Sequence, residues 1–121
     1  MAPAVLLLTG IILRTQAAAG FFTGTQLLHD CASTNPAEAA DCLGYITGIA
    51  DAIGTAQPLL HDRFGIPPVV CVGPDVTRGH LREVVVAHLR ETPAQQPEEA
   101  GRLVVEALMA TFPCPDKSGP L

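Results

Sequence analysis

Beyond residue 20, apolar positions recur at helical rather than strand spacing and divide the chain into four segments. Leu27 and Leu28 mark the inner side of a short first helix over about Thr25 to Cys31, with Thr23 or Thr25 as its cap, and Ser33, Thr34 and Asn35 make the turn that follows. The second helix has a well-marked start. Asn35 can cap it, Pro36 suits the first helical position, and Glu38 stands three residues after the cap. Leu43, Ile46, Ile49, Ala50 and Ile53 give it an apolar stripe as far as about Ala56. Pro58 lacks a backbone donor and crowds the preceding turn, so a bend or restart is expected there, ending near Arg63. A Pro- and Gly-rich connection, Phe64 to Asp75, leads to a third helix opened by Thr77 and closed before Pro93, with Leu81, Val84, Val85, His88 and Leu89 on its inner face. The fourth is expected to open at Pro97 with Glu98 and Glu99, whose charge complements the positive end of a helix. Ala100, Leu103, Val104, Ala107, Leu108 and Thr111 carry it to a stop at Pro113, and the polar tail after Cys114 is expected to be loose. Strand signals are poor: Val69-Val70-Cys71-Val72 is β-branched but trapped between prolines. The expectation is an all-α, small four-helix domain of two antiparallel helix pairs.

The first nineteen residues follow a different pattern. Ala4 to Leu13 is an apolar run of signal-peptide length, too short for a membrane span, and Ala17-Ala18-Ala19 is a small-residue cleavage site, although no Lys or Arg precedes the run. Residues 1–19 are therefore read as an export signal and residues 20–121 as a single domain, with no membrane segment after cleavage. Loss of Arg14 with the signal takes the formal charge from −5 to −6. That acidic balance, with its few basic residues scattered, argues against a nucleic-acid partner and suits a basic protein partner. Aromatics make up only 4% of the chain, so the core must be built from Leu, Val, Ile and Ala.

Cys31, Cys42, Cys71 and Cys114 all fall in the exported part, and an even count in a small exported chain reads as a disulfide framework. Their separations do not suit a zinc site. Cys31 ends helix one and Cys42 begins helix two; Cys71 precedes helix three and Cys114 follows helix four. Antiparallel neighbours bring those ends together, which predicts Cys31–Cys42 and Cys71–Cys114.

Catalytic signals are weak. Ser33 and Ser118 are the only serines, both in flexible positions, and no nucleophile elbow, phosphate loop or metallohydrolase motif occurs. His29, His61, His80 and His88 read as surface or half-buried histidines; His80 and His88 are out of register for a shared ligand, and the Cys31 of His29-Asp30-Cys31 is expected to be oxidised. No enzyme, metal or cofactor is expected. The most specific local feature is Gly44, Tyr45, Gly48 and Asp51 on helix two. Two glycines inside a helix each cost about 1 kcal/mol against Ala, so a close approach, most simply by another helix of the domain, is expected at Gly44 and Gly48. Asp51, one turn on, shares their face.

The residues taken together resemble the Rap/Tai family of immunity proteins. The resemblance is carried by Phe22-x-Gly24-x-x-Leu27 with Cys31, then Cys42-x-Gly44-Tyr45-Ile46-x-Gly48-x-x-Asp51, then Cys71-Val72. It continues through Val76-Thr77, Leu81-Arg82, Val84-Val85, His88-Leu89 and Pro93 to Ala100, Leu103-Val104, Ala107-Leu108 and Phe112-Pro113-Cys114. Gly73 before Pro74 departs from the pattern and alters only a loop. The resemblance implies a small all-α fold, a periplasmic location, often a homodimer, and function by occluding the active site of a peptidoglycan-amidase toxin of type VI secretion. A periplasmic stress chaperone, or a small exported protein with another binding role, is the alternative.

Overall fold

In the computed structural model, which describes residues 20–116 and the isolated positions Pro3, Ala4 and Gly10, four α-helices follow one another. They are α1 (Gly24–Ala32), α2 (Pro36–Phe64), α3 (Arg78–Glu91) and α4 (Ala100–Thr111), with a 3-10 turn at Pro93–Gln95 between the last two. The described residues contain no strand, only isolated bridges joining Thr23 to Glu99 and Val70 to Pro113. The expected signal segment and the tail beyond Asp116 lie outside the described residues.

Local chemistry sets the helix starts. The Thr23 hydroxyl accepts from Gln26 N–H while the Gln26 side chain accepts from Thr23 N–H, a reciprocal capping box. The Asn35 side chain accepts from Ala37 N–H ahead of Pro36, and Thr77 Oγ1 accepts from His80 N–H.

The fourth helix departs from expectation. It begins at Ala100, not Pro97, because the backbone of residues 96–100 is engaged elsewhere. Gly24 N–H donates to Glu98 O and Thr25 N–H to Gln96 O, while Ala100 N–H donates to Phe22 O. The starts of α1 and α4 thus satisfy each other's unpaired backbone groups, which a helix begun at Pro97 could not do.

Helix α2 departs too. It runs unbroken through Pro58. The proline withholds one donor from Gly54 O, and Gly54 is exposed with open space around it, so water can reach the orphaned carbonyl. One residue earlier, the Gln57 side chain accepts from Val69 and Val70 N–H and donates to Val70 O, fastening this part of the helix to the following loop. The helix ends at Gly65, whose φ of 68° is the left-handed conformation glycine adopts without strain.

α1 packs on α2 and α3 on α4, and the two pairs close on one core. Leu27, Ile46, Val85, Leu89, Leu103 and Leu108 are fully buried there. Both expected disulfides are present, Cys31–Cys42 and Cys71–Cys114, at Cα separations of 5.0 and 4.8 Å. The first joins α1 to α2 beside their turn. The second ties the loop before α3 to the end of α4, where Cys71 N–H also donates to Phe112 O.

Candidate partner-binding surface

The four residues singled out on α2 point in different directions. Tyr45 turns inward, edge-on to Phe22 with ring centroids 5.3 Å apart, and its hydroxyl reaches the first turn of α4 at Gly101. Burial and the nearby Glu99 carboxylate push its phenol pKa above the ordinary value, partly offset by the Gly101 amide. Tyr45 is therefore a packing residue linking α2 to the starts of α1 and α4.

Gly44 and Gly48 are exposed, and a Cβ on either would meet nothing within 4 Å. The close helix approach expected there does not occur in the domain. The reason is placement: they lie opposite the buried Cys42 and Ile46, on the outward face of α2. Without steric need for glycine, Gly44→Ala and Gly48→Ala should each raise stability by about 0.5–1 kcal/mol through helix propensity. Thermal or urea unfolding checks this; a loss of stability would mean that something does touch that face.

Asp51 is exposed on the rim of a groove of about 780 Å³ between α2, the loop after it and the start of α3. Ala50 and Ile53 line it from α2, Val70 and Val76 from the loop, and Leu81 from α3, with Arg78 as its basic group. Asp51 and Arg78 place one charge of each sign on a trough of mixed polar and apolar lining, to which Thr47 also contributes.

The more conspicuous surface was not singled out in the sequence. α2 has 29 residues, about 43 Å of helix, against 14 for α3 and 12 for α4. Its fully buried residues are Cys42 and Ile46, so its C-terminal part reaches beyond the core. The apolar stripe nevertheless continues. Leu60 follows Ile53 by seven residues and Phe64 follows by four more, on the same side of the helix. Leu60 is 40% exposed, Phe64 67%, and Ile66, just past the end, 47%. Leu59 on the adjoining face is 64% exposed. The Arg63 guanidinium lies over the Phe64 ring, 6.0 Å from its centroid. Isolated exposed leucines are ordinary, but a contiguous apolar helix end rimmed by charge is the surface type that partners cover. The available signal was the stripe persisting past Pro58, which the expected break there obscured.

The described residues form no long apolar helix able to cross a membrane. No curated protein and no solved structure matches the chain. The family model of the Rap1a immunity proteins nonetheless matches residues 23–114, and the chain belongs to that family.

Proposed function

We propose that this protein is a periplasmic immunity protein that binds a peptidoglycan-amidase toxin of type VI secretion and occludes its active site, with the projecting end of α2 as the inserting element. The observation that carries the reading is the unpartnered continuation of the α2 stripe, Leu60 and Phe64, beyond the core. A narrow helix end with apolar side chains fits a substrate cleft better than a flat face does, and burying the exposed part of Phe64 would supply about 1–2 kcal/mol and that of Leu60, already more than half buried, about 1 kcal/mol. The acidic balance of the chain, −5 overall, favours encounter with a basic toxin. Family membership supports inhibition by binding rather than catalysis.

The test is amidase activity on purified peptidoglycan with increasing amounts of the protein. The wild type should inhibit stoichiometrically. Leu60→Glu combined with Phe64→Asp should weaken inhibition at least a hundredfold while helicity and melting temperature stay unchanged, since neither side chain supports the core. Undiminished inhibition by that variant would remove the α2 end from the interface, and failure of the wild type to inhibit would remove the amidase reading. Sedimentation of the same samples reads the homodimer that the family resemblance implies.

A further inference from the structure

The junction of α1 and α2 carries a second feature, unrelated to the projecting end. On its outer side, His29 Nδ1 lies 3.3 Å from Asp30 Oδ1 and 3.5 Å from Glu38 Oε2, and the ligand atoms of all three lie within 4.8 Å of one another. Two ligands bound at 2.0–2.1 Å and at a tetrahedral angle sit about 3.4 Å apart. Two edges of the triangle already have that length.

We propose that His29, Asp30 and Glu38 form a binding site for a divalent transition-metal cation, zinc foremost. A neutral imidazole with two carboxylates supplies two negative charges and a mixed nitrogen–oxygen donor set, which suits zinc, whereas an all-oxygen set would suit calcium or magnesium. His29 and Asp30 lie in the last turn of α1, where the helix presents its negative end, so a cation is favoured there over an anion. The frame is held in place. The Asp30 side chain is only 17% exposed, and Cys31, its neighbour, is bonded to Cys42 one turn beyond Glu38. Glu38, 38% exposed, keeps the freedom to close the third edge. The His29 side chain is 72% exposed, so water, or a partner's side chain, can reach the ion to complete the coordination. Bound there, the ion would clamp α1 to α2 alongside the disulfide.

Isothermal titration of zinc into the untagged, disulfide-intact protein, with cobalt(II) absorption as a second readout, tests the site. One zinc per chain should bind below millimolar concentration, and cobalt should give the visible spectrum of a four-coordinate ion. His29→Ala and Glu38→Gln should each weaken binding at least tenfold; both side chains are substantially exposed, and circular dichroism should show an unchanged fold. His80→Ala should leave binding unaffected, since His80 packs edge-on to Phe112 and has a single carboxylate, Glu83 at 3.7 Å, near it among the described residues. Absence of saturable binding at millimolar zinc, or binding that His29→Ala leaves intact or His80→Ala abolishes, would overturn the assignment.

Discussion

Replacing Cys71 and Cys114 together by Ala should cost about 4 kcal/mol of unfolding free energy. The disulfide closes a loop with a sequence separation of 43 residues, and in the chain-entropy model a crosslink of that span restricts the unfolded ensemble by about 4 kcal/mol. Small domains have only about 5–15 kcal/mol in total, so the variant should sit near the edge of stability at body temperature. The effect extends beyond the bond. Cys71 N–H donates to Phe112 O, Val70 bridges to Pro113, and Gln57 holds Val69 and Val70 through three hydrogen bonds. The crosslink therefore sits inside the structure that forms one wall of the Asp51 groove, and loosening it should blur that wall. Urea unfolding of the oxidised wild type and the double variant measures the difference. A loss below about 1 kcal/mol would show that hydrogen bonds and packing alone hold the α3–α4 end.

The cysteine pairing was legible in the sequence because it follows from helix ends, and helix ends follow from local signals. Thr77 and Asn35 are caps whose partners stand two or three residues away, and Thr23 differs only in that two candidates were available. Features that depend on distant partners were not legible. The delayed start of α4 results from residues 96–98 serving as acceptors for Gly24 and Thr25, some seventy residues earlier in the chain. Continuity of α2 through Pro58 owes its setting to Gly54 in front of it and to the Gln57 clamp behind it, and only the proline was visible as a signal. The projecting end is a matter of relative length. The stripe read from the sequence ends at Ile53 and leaves Phe64 in the following connection, so the Leu60–Phe64 face emerges only where α2 outruns the shorter α3 and α4. His29 and Glu38 meet only because the turn at Ser33–Asn35 and the Cys31–Cys42 bond fold nine residues of chain back on themselves.

The glycines give the sharpest case, and with it the second large expected effect: Gly24→Ala should destabilise the protein by about 2–3 kcal/mol, in contrast to the gain expected at Gly44 and Gly48. The sequence argument held that a helical glycine implies a close approach, and that is true at Gly24. A Cβ there would lie 2.5 Å from Leu103 Cδ1, 2.8 Å from Gln96 O and 3.2 Å from Leu89 Cδ2. Leu103 and Leu89 are fully buried and have little room to retreat. Gln96 O is backbone, and it cannot move away without lengthening its hydrogen bond from Thr25 N–H. Overpacking of this kind costs about 1–3 kcal/mol, and each strained backbone hydrogen bond adds about 0.5–1.5 kcal/mol. The better helix propensity of Ala offsets at most about 1 kcal/mol. In a domain of about 100 residues the net loss corresponds to a fall in melting temperature of roughly 10–20 °C. Melting Gly24→Ala beside Gly44→Ala separates the two glycine roles in one experiment. Equal behaviour would mean that the interlock of α1 with the 96–98 segment yields cheaply; opposite shifts would show that in this fold the close approach is made at the start of α1 while the outward glycines of α2 remain free for a partner.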